Sequence, residues 1–523
     1  MAISPLRARL ALKTQEASFI CRRCLHNQPS TTLNFRLLRN QRAIPSRPPN
    51  KPIPRHARPQ TTTANAHKPP SSPLAALSQT ITRRASPTSA SRTTPHPSSS
   101  SFPATSSKSV AYWLLASATS VFGIVLFGGL TRLTESGLSI TEWRPVTGSF
   151  PPRDESAWEE EFARYRLSPE FKMLNSRMNV EEFKKIYWME WTHRLWGRVV
   201  GITFLLPTVY FVARRRVSAR MAMKLVGICG LIGFQGVIGW WMVKSGLKDD
   251  LLETGTHPRV SQYRLATHLG TAFVAYLAML WNGLEILREH RLLRDPEQGL
   301  KLLETLRHPS LRTFRRSVAG LSGLIFVTAI SGALVAGLDA GLVYNNFPWM
   351  GQNILPPRRE MLDPLYSHTR DNRDLVWRNM FENPVLAQLD HRILATTTFT
   401  AVLALWAYSR YSPAVRQLLP RAGRMGMLGL VHLVSLQVIL GISTLWYLVP
   451  TPLAAAHQAG ALALLSGVLV LGGRVWVPQR TMRLVRNAVA QAQGQAQGKS
   501  GSLVGQRGPD AMIRAKIARP VSA

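Results

Sequence analysis

The chain has 523 residues, with 64 lysines and arginines against 28 aspartates and glutamates, a formal net charge of +36 and a mean hydropathy of −0.02. Residues 1–109 hold 17 of the basic residues and one acid, Glu16, so 16 of the excess positive charges lie in this leading segment. The basic balance is therefore no sign of a nucleic-acid partner, and the near-zero hydropathy averages two unlike parts.

That leading segment is rich in Ser, Thr, Pro and Ala and cannot bury a core. Its start, M-A-I-S-P-L-R-A-R-L-A-L-K, sets Arg7, Arg9 and Lys13 among Leu and Ala ahead of any acid, the pattern of a mitochondrial presequence. Cys21 and Cys24 form a C-x-x-C inside it, with no second pair to complete a zinc site. Cys229 stands alone in an apolar run and reads as a small buried hydrophobe, so the mature chain has no structural disulfide.

From residue 110 the composition turns apolar. Stretches long enough to cross about 30 Å of hydrocarbon occur near 110–131, 192–213, 222–243, 263–284, 317–338, 391–409, 425–448 and 453–473. The predicted fold class is an all-α membrane protein with eight transmembrane helices. Basic loops set its orientation. Arg214, Arg215, Arg216, Arg220 and Lys224 follow the second span, eight basic residues between Arg288 and Arg316 follow the fourth, and Arg410, Arg416, Arg421 and Arg424 follow the sixth. Both termini are then expected in the matrix, with the long 132–189 and 339–390 segments facing the intermembrane space.

Four histidines, His193, His268, His391 and His457, fall near the starts of spans two, four, six and eight. In the predicted topology these spans run in one direction, so the four histidines share a depth near the outer leaflet. The two halves also repeat. G-G-L-T-R-L-T-E-S-G-L-S (128–139) aligns without gaps with G-A-L-V-A-G-L-D-A-G-L-V (332–343), and E-W-T-H-R (190–194) answers Q-L-D-H-R (388–392). Q-G-V-I-G-W-W (235–241) answers Q-V-I-L-G-I-S-T-L-W (437–446), and A-T-H-L-G (266–270) answers A-A-H-Q-A-G (455–460). The organisation expected is a presequence and disordered basic segment (1–109), a four-helix bundle (110–284), a matrix loop (285–316), a pseudo-symmetric second bundle (317–475) and a disordered matrix tail (476–523).

An ionisable or metal-liganding side chain in a membrane span is costly and usually functional. Neutral imidazole is a good axial ligand for haem iron, and a pair from facing helices can clamp one porphyrin. His193 with His268, and His391 with His457, form such pairs, whereas ordinary zinc lacks its third and fourth ligands. Arg194 and Arg392 each follow a histidine, where an anionic propionate would sit or where an interfacial anchor would lie. Lys244 reads as a snorkelling residue. Trp188, Trp191, Trp196, Trp240 and Trp241 suit either a haem pocket or an aromatic belt.

The halves differ at one place. Glu190 stands three residues before His193 on the same helix face, and its counterpart before His391 is Gln388. A carboxylate beside one site and an amide beside the other suggests proton chemistry at the first only. A bis-histidine b-type electron-transfer or quinol-oxidising protein, and a haem-free transporter or assembly factor using histidines for protons, are the other function classes these residues allow.

Taken together, G-G-L-T-R-L-T-E-S-G-L-S, E-W-T-H-R-L-W-G-R, Q-G-V-I-G-W-W-M-V-K-S-G-L, A-T-H-L, D-H-R and A-A-H-Q resemble the haem A synthase family of cytochrome oxidase assembly, over about residues 110–475. The resemblance implies an inner-membrane oxidoreductase of the mitochondrion that oxidises the C8 methyl of haem O to the formyl of haem A. It implies a resident haem b on His391 and His457, the substrate porphyrin on His193 and His268, and Glu190 as catalytic carboxylate. Expected partners are a haem O synthase, a matrix ferredoxin system and a second copy of the chain. A cysteine pair that many bacterial members carry in the first outer loop is missing between residues 132 and 189. If both His193 and His268 bind the substrate iron, methyl oxidation needs release of one ligand or stepwise electron removal with water as the oxygen source, through a geminal diol that loses water.

Overall fold

The structure is a computed structural model that describes residues 102–248 and 258–505; the expected presequence, with Cys21 and Cys24, lies almost wholly outside the described residues. Among the described residues the regular structure is helical, with one isolated bridge, Met350 to Asn353. In chain order the helices are α1 (Lys108–Leu133), α2 (Glu155–Arg166), α3 (Pro169–Met173), α4 (Val180–Ala213), α5 (Ala219–Gly246), α6 (Gln262–Arg294), α7 (Pro296–Arg307) and α8 (Arg312–Gly337). There follow α9 (Arg358–Met361), α10 (Leu375–Glu382), α11 (Pro384–Tyr411), α12 (Pro413–Leu418), α13 (Arg421–Trp446), α14 (Thr451–Val475) and α15 (Gln479–Gly505).

Polar ends and apolar middles explain the long helices. α4 opens on a capping box: Asn179 Oδ1 accepts from the Glu182 amide at 2.9 Å and Glu182 Oε2 accepts from the Asn179 amide at 3.2 Å. At about 1.5 Å per residue its 34 residues exceed the hydrocarbon thickness, and the charged first turns project beyond the apolar run. α11 opens with Asn383 accepting from the Val385 amide at 2.9 Å and Pro384 at its first position.

Seven helices among the described residues are long and apolar enough to cross a membrane. The expected sixth span lies on α11, which is outside that seven. Thr396, Thr397, Thr398 and Thr400 and the Asp390-His391-Arg392 run lower its mean hydropathy. Three of those threonine hydroxyls are satisfied inside the helix, donating to the carbonyls of Arg392, Ile393 and Thr396 at 2.8, 2.7 and 2.9 Å.

α1 packs on α4 and α6, and α5 on the same two; α8 packs on α11 and α14, and α13 on the same two. α1 meets α14 and α6 meets α8 and α14 along the seam between these groups. One continuous core runs through them, with Leu114, Phe204, Leu225, Met279, Phe314, Val402, Leu430 and Val468 buried. Ile202, Leu206, Val209, Phe234, Val237, Leu436 and Ile439 are exposed, an apolar periphery suited to lipid.

The segments outside the spans hold more helix than their composition suggests. Residues 285–316, expected as a matrix loop, take in the end of α6 to Arg294 and the whole of α7, capped by Asp295 on the Gln298 amide at 3.1 Å. The expected disordered tail is helical over Gln479–Gly505, because Met482 and Val485 bury against Leu292 and Leu303. Ala and Gln in this stretch favour helix, and tertiary packing supplies the rest.

Candidate functional site

Each of the four histidines sits on a helix that passes close to a glycine of a neighbouring helix. A Cβ on Gly128 would lie 2.8 Å from His193 Cε1, one on Gly239 3.4 Å from His268 Cε1, one on Gly332 3.2 Å from His391 Cε1 and one on Gly441 2.8 Å from His457 Cε1. Gly128 with Gly332, and Gly239 with Gly441, are repeat partners, so the internal repeat is present as packing and not only as letters. Four positions after Gln235 and Gln437 come Gly239 and Gly441. Gln235 Nε2 donates to the His268 carbonyl at 3.2 Å, and Gln437 Nε2 to the His457 carbonyl at 2.9 Å.

All four imidazoles line one cavity of about 1510 Å³ that extends through both halves. Nδ1 of His193, His268 and His457 is buried without a hydrogen-bond partner, which leaves Nε2 as the nitrogen toward the cavity. His391 differs. Its Nδ1 lies 2.7 Å from Ser331 Oγ, and Ser331 Oγ donates to the Thr328 carbonyl at 2.7 Å. With that hydroxyl proton committed, Nδ1–H donates to Ser331 and Nε2 keeps its lone pair.

The loops after α1 and α8 close over these helices in matching ways. Arg194 donates to the carbonyls of Ile140 and Glu142 at 2.8 and 3.1 Å; Arg392 donates to those of Tyr344 and Trp349 at 2.9 and 3.2 Å. Ile140 and Tyr344 are repeat partners. Both guanidinium groups line the cavity, but they spend donors on backbone rather than pointing wholly at open space. Glu190 is 3 % exposed; its Oε2 accepts from Ser139 Oγ at 2.7 Å and the Ile140 amide at 2.8 Å, and its Oε1 from Arg194 at 2.5 Å. Gln388 instead donates from Nε2 to the Tyr344 carbonyl at 3.0 Å, leaving Oε1 buried without a partner.

Other side chains reach the cavity as well. Arg132 pairs with Asp339 at 2.7 Å across the two halves, and Arg259 approaches the same carboxylate at 3.4 Å. Glu135 and Asp339, repeat partners, both hold positive φ, 51° and 52°. Glu170, in α3, is buried, and burial first and the neighbouring Glu190 second push its carboxyl up to about 8. Gln458, next to His457, crosses the seam to donate to the Val125 carbonyl at 2.9 Å and rests on Gly129. Trp240 and Lys244 line the cavity, with the ammonium 5.2 Å from the Trp240 ring centroid. Cys229 also reaches it, half-buried.

The donor set fits a porphyrin iron. Ring centroids of His391 and His457 are 6.4 Å apart, and these two imidazoles would hold the iron of one haem between them. Among the described residues no three His, Cys, Asp or Glu side chains converge as metal ligands. The paired histidines would hold an iron that arrives with its own porphyrin.

Fold and site thus define a multi-pass helical membrane protein with paired histidines on a shared apolar cavity. Residues 111–469 match the family described as cytochrome oxidase assembly protein, COX15-CtaA. Heme A synthase COX15 of Saccharomyces cerevisiae is 50 % identical over 396 residues, 75 % of this chain and 81 % of that protein. Heme A synthase COX15 of Homo sapiens is 47 % identical over 364 residues, 69 % of this chain and 81 % of that one. A heme A synthase-mitochondrial ferredoxin fusion protein of Schizosaccharomyces pombe is 48 % identical over 385 residues, 73 % of this chain and 62 % of the fusion. The chain belongs to the haem A synthase family.

Proposed function

We propose that this chain oxidises the C8 methyl of haem O to the formyl of haem A, with the substrate held between His193 and His268 and a resident haem b between His391 and His457. The observation that carries the reading is the difference between Glu190 and Gln388 on otherwise matching frames. Glu190 is a carboxylate on the cavity three residues from a ligand histidine, in position to take a methyl proton or orient a water. Gln388 cannot take a proton. Ser331 favours the same division: one imidazole of the second pair, His391, has its second nitrogen hydrogen-bonded and is thereby oriented and more basic, whereas neither imidazole of the first pair is. Haem b, when bound, supplies one-electron redox chemistry.

Around that chemistry the chain's own residues hold and enclose. Arg194 and Arg392 keep the two loops over the cavity and place positive charge where porphyrin carboxylates would lie. The two closed rings of helix contacts support eight spans in two four-helix bundles, 110–284 and 317–475, with α11 as the sixth. Basic loops on one side support termini in the matrix of the inner mitochondrial membrane. The fused relative supports a ferredoxin as electron-transfer partner.

The test is pigment analysis of the full-length protein supplied with haem O. Glu190→Gln is expected to keep both haems and to convert haem O at least ~100-fold more slowly. Undiminished conversion would remove Glu190 from the reaction. A Soret band without any haem A from the unaltered chain would mark an electron carrier instead.

A further inference from the structure

Glu170 is a buried carboxyl that the reaction described above does not use. It occupies the second position of α3, in the segment between α1 and α4, and is 3 % exposed. Its carboxyl accepts one side-chain hydrogen bond, a long one of 3.3 Å from the Tyr165 hydroxyl, which in turn accepts from Asn175 Nδ2 at 2.8 Å. Glu190, by contrast, has three donors at 2.5 to 2.8 Å. A buried carboxylate so poorly solvated by the protein is a costly packing residue. Both carboxyls line the same cavity. The charged and titratable groups acting on Glu170 are Glu190 from α4, Tyr165 from α2, and Glu135 and Arg132 from the end of α1.

Oxidising one carbon from methyl to formyl removes more than one C–H proton from it. Glu190, paired with Arg194, must return to its carboxylate between these events, so its proton needs an acceptor. We propose that Glu170 is that acceptor, the second carboxyl of a relay leading away from the substrate. The step breaks the O–H bond of protonated Glu190 and forms one on the Glu170 carboxylate; no electron moves. The proposal rests on the reading of Glu190 as the group that takes the methyl proton. A carboxyl pushed up to about 8 changes protonation state close to working pH, where proton exchange is most effective.

The test measures conversion of haem O by the full-length protein against pH, for the unaltered chain, Glu170→Gln, Tyr165→Phe and Glu190→Gln. In the unaltered chain the rate should rise as Glu170 ionises, through about pH 8. Glu170→Gln should keep both haems, leave KM unchanged, lower kcat tenfold or more and lose that rising limb. Tyr165→Phe removes a bond that holds the Glu170 pKa down, so it should move the limb to higher pH. A Glu170→Gln protein with the original kcat and pH profile overturns the relay. So does one with low kcat and an unchanged profile, which marks a purely structural role. Should Glu170→Gln fail to fold, an unmoved limb in Tyr165→Phe overturns it. Undiminished conversion by Glu190→Gln would instead sink the reading on which the relay rests.

Discussion

His193 rests on Gly128 and His391 on Gly332, yet Ser331, just before Gly332, bonds His391 Nδ1 at 2.7 Å, whereas the residue just before Gly128 is Phe127. The same contrast recurs one turn before each histidine, where Glu190 collects three donors and Gln388 donates one bond. Glycines, interhelical glutamines and loop-clasping arginines are common to both halves. The differences that bear on the histidines lie in side chains that touch them or the loops above them. On the proposed reading, a duplicated frame keeps two histidine pairs on one cavity while a few polar substitutions make one pair's site reactive and the other's fixed.

The glycines give the sharpest way to break the comparison. A methyl at Gly128 or Gly441 would meet a rigid imidazole at 2.8 Å, whereas at Gly239 it would meet one at 3.4 Å, an ordinary contact. Overpacking of this kind costs about 1–3 kcal/mol, or about one to two decades in ligand occupancy. Gly441→Ala should therefore strip the resident haem b signal. Gly128→Ala should keep that signal and lose haem O binding, and Gly239→Ala should stay within about threefold of the unaltered chain. Titrated Soret absorbance and pigment extraction read all three. Equal losses at Gly128 and Gly239 would show that the close approaches do not set the ligands' positions.

A smaller effect is expected at Ser331. Removing the hydroxyl in Ser331→Ala leaves His391 without its fixed tautomer, and loss of such a partner weakens metal affinity about tenfold or more. The measured quantity is haem b retained through dilution, with the reduction potential as a second readout. Unchanged retention and potential would mean that His391 needs no orienting partner and that the asymmetry lies in Glu190 alone.

Much of this site was legible in the residues. The four histidines, their pairing by half and the Glu190/Gln388 difference are local patterns repeated at fixed spacing, and the packing of each histidine against a glycine follows from the same repeat. What the letters do not carry is which groups a loop brings near. Arg194 and Arg392 read as propionate partners or interfacial anchors, and nothing in that reading tells that the loops also present the carbonyls of Ile140, Glu142, Tyr344 and Trp349 to them. Glu170 lies outside the stretches aligned between the halves and becomes notable only when the fold buries it on the cavity that Glu190 also lines. The helical tail was hidden for a related reason: its low-complexity end looks unstructured until Met482 and Val485 find Leu292 and Leu303.

The division of labour between the halves is tested most directly by the pigments retained in four single variants, His193→Ala, His268→Ala, His391→Ala and His457→Ala, each purified full length. The predicted result is that His391→Ala and His457→Ala lose haem b, whereas His193→Ala and His268→Ala retain haem b and lose bound haem O and haem A. Loss of the same pigment from all four variants would contradict two sites with different work.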